Sequence, residues 1–236
     1  MIKTLLLLLQ AGKLGKVLLT GGTMLLSVIA YSWVFGWWYA VGFVGLIFAH
    51  EMGHYVAAKQ RGLDVGLPTF IPFVGAWIQL KSMPHNVETE AYVGMAGPLG
   101  GTLAALATYY VARVQDSDLL LAIAYSGFFL NLFNLIPLSP FDGGRITAVI
   151  SPRLWLVGAP ILVALFFYRP SPLLILIALL SAPHVMKAWR GIREDEQAYY
   201  TASAETRFTY GVLYIGLAAF LTIMCDELHR ELPRGF

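Results

Sequence analysis

The 236-residue chain is 58% hydrophobic and only 13% charged, with a formal net charge of +2. Soluble domains carry about a quarter charged residues, so this composition excludes an ordinary soluble domain and describes a polytopic helical membrane protein in a lipid bilayer. No basic tract with interleaved aromatics points to nucleic acid, and the single Cys225 excludes an internal disulfide or a cysteine-based zinc cluster.

Met1-Ile2-Lys3-Thr4 followed by Leu5 to Leu9 imitates a signal peptide, but residues 10–16 lack a small-x-small cleavage pattern. Residues 1–16 therefore read as a retained amphipathic or interfacial lead-in. Residues 17–33 predict a first spanning helix, and residues 32–38 an aromatic-rich interface turn. A second helix is predicted over residues 37–59. It carries Phe48-Ala49-His50-Glu51-Met52-Gly53-His54-Tyr55 in its last third.

Positions four apart share one helix face, so His50 and His54 can point at one ion. Glu51 falls one residue round the helix, beside such an ion rather than on it, which suits a general base in metal-assisted hydrolysis. No charged residue occurs from Val17 to His50, and Glu51 is the only one before Lys59. Ionisable groups in an apolar run of membrane length are expensive and usually functional. At a rise of about 1.5 Å per residue, His54 lies on the order of 8 Å from its helix end, where water can reach it from one face.

Pro68, Pro72 and Gly75 interrupt the apolar residues 62–81, which predicts an extended or re-entrant segment packed on protein. A polar, flexible piece holding His85, Glu88 and Glu90 follows, with His85 read as a solvated loop histidine. Residues 91–112 predict a third span whose start, Gly94-Met95-Ala96-Gly97-Pro98-Leu99-Gly100-Gly101, is small enough for close helix packing. Residues 119–138 predict a fourth. It ends in Asn131, Asn134, Pro137 and Pro140, leaving Asp142-Gly143-Gly144 on irregular backbone at membrane depth. Two short apolar segments, 154–168 and 172–186, a charged linker at 187–207 and a last span at 208–225 complete an all-α reading with about six transmembrane helices.

Lys13, Lys16, Lys59, Arg61, Arg145, Arg153, Lys187, Arg190 and Arg193 fall on one side of this topology. Arg113, Arg169, Arg230 and Arg234 fall on the other. The positive-inside rule makes the first side cytoplasmic, with the N-terminus and the opening to the site there. A hydrolytic zinc needs a third protein ligand and one open position. Asp142 is the only carboxylate between Asp118 and Glu194, at the same side and a similar depth as His50 and His54, and its proline-framed membrane-boundary setting favours a ligand over a plain turn.

His50-Glu51-x-x-His54, with Asn134-x-x-Pro137-x-x-x-x-Asp142-Gly143 downstream, resembles the site-2 protease family of intramembrane zinc metalloproteases. Leu67-Pro68-Thr69-Phe70-Ile71-Pro72-Phe73-Val74-Gly75-Ala76-Trp77 and Ala96-Gly97-Pro98 add to the likeness, which covers about residues 17–150. The resemblance implies one Zn2+ per chain held by His50, His54 and Asp142, with Glu51 as base. It also implies cleavage of a peptide bond within or beside a transmembrane segment of a membrane-protein substrate. Asn134 matches an asparagine that helps orient substrate or the oxyanion; a helix–helix hydrogen bond is its alternative role.

The gap from Lys59 to Ala91 is too short for a PDZ domain, and nothing after Cys225 holds a CBS pair, so the expectation is a minimal form: a single membrane-embedded domain, 1–236, with extra helices at 154–225. A substrate helix must unwind before attack, because its carbonyls are locked in i→i−4 bonds. The segment from Phe70 to Leu80 can take the unwound stretch as an added strand. Two rival readings stand beside this one. One is a membrane gluzincin with Glu88 or Glu90 as third ligand; the other is a non-catalytic protein of the same fold that binds membrane partners.

Overall fold

A computed structural model describes residues 2–79 and 82–232, with side chains from residue 15 onward. The architecture is nearly all-α. Helix α1 (Ile2–Phe35) runs without a break, so the expected separate lead-in is instead the first half of one long helix. Nothing in residues 10–16 stops a helix, and the leucine run before them favours one. Gly36 alone separates α1 from α2 (Trp37–Gln60), with a φ of 84° that a side chain would strain.

The helix-broken segment after α2 is extended, as its prolines and glycine require. It forms a two-stranded antiparallel hairpin, β1 (Thr69–Ile71) and β2 (Gly75–Trp77), with Phe70 opposite Ala76. The outer edge of β1 leans on α1, where the Phe70 amide donates to Thr23 Oγ1 at 3.3 Å. Tyr31 and Phe73, with ring centroids 4.9 Å apart, close the same contact.

Helix α3 (Val87–Gln115) begins earlier than composition suggests. Asn86 caps it by accepting from the Thr89 amide at 2.8 Å, and Glu88 and Glu90 lie in its first turn, not in a loop. His85 is exposed ahead of that turn. Helix α4 (Asp118–Asn134) is capped by Ser117 and stops short of the expected residue 138. The chain then turns back into α5 (Asp142–Ile150), so Asp142 opens a short helix instead of sitting on irregular backbone. A 3-10 turn leads to α6 (Trp155–Tyr168), followed by α7 (Pro172–Arg190), the short α8 (Glu194–Gln197) and α9 (Ala204–Glu231).

Among the described residues, three helical stretches are long and apolar enough to cross a membrane: Gly15–Phe35, Pro172–Arg190 and Ala204–Glu231. Their outward faces, with Leu18, Leu25, Leu179, Phe208 and Ile215, are exposed, as in a protein whose solvent is hydrocarbon. Helix α2 packs against α1, α3 and α4, and α4 packs against α9. The largest buried cluster joins α3, α4, α5 and α9 around Phe128, Leu138, Ile146 and Leu221. Hydrocarbon gives little hydrophobic drive between helices, so close approach of small residues does much of the packing.

Candidate active site

Helix periodicity puts His50 and His54 on the inner face of α2, with ring centroids 4.8 Å apart and planes at 80°. The chain reversal after α4 brings the first residue of α5 to meet them. Asp142 Oδ2 lies 3.1 Å from His50 Nε2 and 3.2 Å from His54 Nε2, and the two Nε2 atoms are 3.1 Å apart. All three side chains are buried. They are the one group of ligand-bearing residues among the described residues that converges tightly enough for a metal ion.

Hydrogen bonding decides what these atoms can do. His54 Nδ1 is 2.7 Å from the Val93 carbonyl, which can only accept, so the ring proton sits on Nδ1. Asn131 Nδ2 donates to the Gly127 carbonyl at 2.7 Å, which turns its Oδ1 toward His50 Nδ1 at 2.8 Å. That oxygen also can only accept. With both rings neutral, as metal ligation requires, the imidazoles present Nε2 lone pairs to each other and to a carboxylate oxygen. Three lone-pair atoms cannot satisfy one another, whereas a cation satisfies all three. Ligands about 2.0–2.1 Å from a tetrahedral zinc stand roughly 3.3 Å apart, close to the triangle seen here.

Glycines make room for this triangle. A Cβ on Gly97 would collide with the His54 ring, and one on Gly101 with the Asn131 amide. Gly53 faces the Ala96 carbonyl in the same way, so α2 and α3 meet backbone to backbone beside the histidines. Behind Asp142, Gly143 packs against the Leu135 and Ile136 carbonyls and Gly144 against Ser139. Larger residues at any of these points would push a ligand out of line.

Glu51 is buried next to His50, and its charge is within reach of both histidines, Asp142 and Arg145. Glu90 is engaged elsewhere: it accepts from the Tyr199 hydroxyl at 2.6 Å and pairs with Arg145 Nε at 3.9 Å. Glu88 likewise stands outside the converging group. Asn134 donates to the Leu130 carbonyl of its own helix at 3.0 Å. The residue that sequence reasoning passed over is Asn131, fully buried and bonded to His50. Its signal was present, a second amide in an apolar helix one turn before Asn134.

A buried three-ligand cradle with a carboxylate beside it defines a class of metal centre. Residues 38–117, which hold His50, Glu51 and His54, match the model of peptidase family M50. A zinc metalloprotease of Methanocaldococcus jannaschii is 32% identical over 106 residues, covering 43% of this chain and 30% of that one. The Rip3 protein of Mycobacterium tuberculosis is 31% identical over 123 residues, 48% of this chain and 31% of its own. The chain thus spans under a third of the length of these relatives. Among solved structures, a site-2 protease from Methanocaldococcus jannaschii covers 76% of this chain and 87% of its own, with a TM-score of 0.46 and 22% identity.

Proposed function

We propose that the protein is an intramembrane zinc metalloprotease that hydrolyses peptide bonds in or beside transmembrane segments of other membrane proteins. The observation that carries this is the convergence of two imidazole Nε2 atoms and the Asp142 carboxylate within 3.2 Å of one another, beside buried Glu51. His50, His54 and Asp142 would hold one zinc per chain. Zinc there supplies Lewis acidity toward water and a peptide carbonyl.

The chain's own groups do the rest. Glu51 accepts the proton of the attacking water and returns it to the leaving amide nitrogen. Asn131 and the Val93 carbonyl hold the ring protons on Nδ1. Burial of the cradle restricts water. β2 pairs with β1 on one side, and among the described residues no strand pairs with its other side. An unwound substrate segment can add there, beside the exposed Phe73, Val74 and Trp77.

This reading places α2, α3, α4 and α6 within the bilayer together with the three long apolar helices, as one membrane-embedded domain. The N-terminus and the opening to the site face the cytoplasm, following the distribution of lysine and arginine. Asn134 keeps the role of orienting substrate near the cradle. The test is zinc content per chain in detergent, with cleavage of a reporter transmembrane substrate. Wild type and Glu90→Ala should carry one zinc, His54→Ala and Asp142→Ala none, and Glu51→Gln should keep zinc and lose cleavage. A well-folded wild type without zinc, or a Glu51→Gln protein that still cleaves, would sink the proposal.

A further inference from the structure

Two of the three ligands sit in the second half of a 24-residue helix that is held by its own hydrogen bonds. The third does not. Asp142 opens a 9-residue helix at the end of a return loop that contains Pro137 and Pro140. Carbonyls at the end of α4 have no following helical turn to donate to them, and the two prolines remove donors that might have served. In apolar surroundings such carbonyls need partners from elsewhere.

Donors from three different downstream helices reach the return loop and the first turn of α5. The Tyr214 hydroxyl of α9 donates to the Leu135 carbonyl at 2.5 Å. The Ser181 hydroxyl of α7 donates to the Ser139 carbonyl at 2.7 Å. The indole Nε1 of Trp155, at the start of α6, donates to the Gly144 carbonyl at 2.8 Å. The three bonds bracket Asp142 on both sides in sequence. Ser181 and Trp155 are buried, and Gly158 lets α6 press against the Pro137 carbonyl. Gly143 and Gly144 lock the start of α5 onto the same loop, so loop and carboxylate move as one piece.

We infer that Trp155, Ser181 and Tyr214 are positioning residues: they brace the loop between α4 and α5 from three sides and thereby set the Asp142 carboxylate against the two imidazoles. The inference rests on the zinc reading above. It gives the helices beyond residue 150 a part in assembling the metal cradle. In their absence the histidine pair would persist and the third ligand would wander.

The test uses the full chain in detergent with Trp155→Phe, Ser181→Ala and Tyr214→Phe, each of which removes a donor at small cost in volume. Thr222→Val on α9 is the control, because that hydroxyl bonds only the Ala218 carbonyl of its own helix. Zinc affinity is measured by competition with a chromogenic chelator, and thermal unfolding is followed on the zinc-free protein. Groups that orient metal ligands through a second bond typically contribute tenfold or more in affinity, so each brace variant should weaken zinc by about tenfold. The Ser181→Ala/Tyr214→Phe double variant should weaken it further. The zinc-free unfolding midpoints should match that of Thr222→Val. Unchanged zinc affinity, or a loss of zinc-free stability large enough to account for the weaker binding, would overturn the inference. If Trp155→Phe does not fold, the other two variants decide. Should His54→Ala bind zinc as well as wild type, the reading of the site itself falls. Should His54→Ala lose zinc while the brace variants keep wild-type affinity, the brace alone falls.

Discussion

His50 Nδ1 and Asn131 Oδ1 lie 2.8 Å apart, joining helices whose contacting residues are 81 positions apart in the chain. The bond fixes both the tautomer and the aim of the imidazole. Asn131→Leu should therefore weaken zinc binding by about 10- to 100-fold while leaving helix content unchanged. Chelator competition followed by far-UV circular dichroism checks it, and wild-type affinity would assign Asn131 to packing alone.

A Cβ on Gly97 of α3 would collide with His54 Nε2. Gly97→Ala forces a methyl group into that ring, and overpacking of this kind costs about 1–3 kcal/mol. Zinc content and reporter cleavage should both collapse. Gly45→Ala, on α2 where nothing lies within 4 Å of the added atom, should leave both intact.

The hairpin makes a separable prediction. Proline at Trp77 and Ile78 should abolish cleavage while one zinc per chain is retained, since the cradle lies on other elements. Unaltered turnover by that variant would remove strand addition from the mechanism.

Burial, and after it the Glu90 charge, raise the pKa of the Tyr199 phenol. A raised folded-state value contributes stability that is fully present below the unfolded-state pKa of about 10 and is lost as pH rises through the folded-state value. Unfolding midpoints should therefore fall as pH rises above about 10, and Tyr199→Phe should make that fall shallower. Identical slopes for the two proteins would mean that folding does not raise the phenol's pKa.

Much of the site was legible because it depends on spacing along one helix. His50, Glu51 and His54 needed only the 3.6-residue period, and Asp142 stood out as the lone carboxylate in a long apolar stretch. The choice between Asn131 and Asn134 was not legible, because it depends on how α4 is rotated against α2, and no local pattern encodes that angle. Glu90 was placed in a loop because its neighbours are polar, although Asn86 and the acidic residues after it are the signature of a helix start. Helix α5 was missed for the opposite reason: a glycine pair directly after two prolines looks like a turn, and only the close packing around Gly143 and Gly144 makes a helix there fit. Among the described residues three helices qualify as spans by length and composition, and α2 and α3 do not, for a related cause. The histidines, Glu51 and the glycines that build the cradle dilute the hydropathy of α2 and α3.

That dilution bears on how the protein is made. Helix α2 carries His50, Glu51 and His54 in its inner half, residues that a newly made segment partitions into lipid only reluctantly. Its companion α3 carries several glycines and Pro98 within one continuous helix. Neither is suited to leave the insertion machinery alone, while the strongly apolar segment at Gly15–Phe35 is. If α2 and α3 lie in the bilayer as proposed, they are expected to enter it as a pair behind the more apolar first helix rather than one at a time.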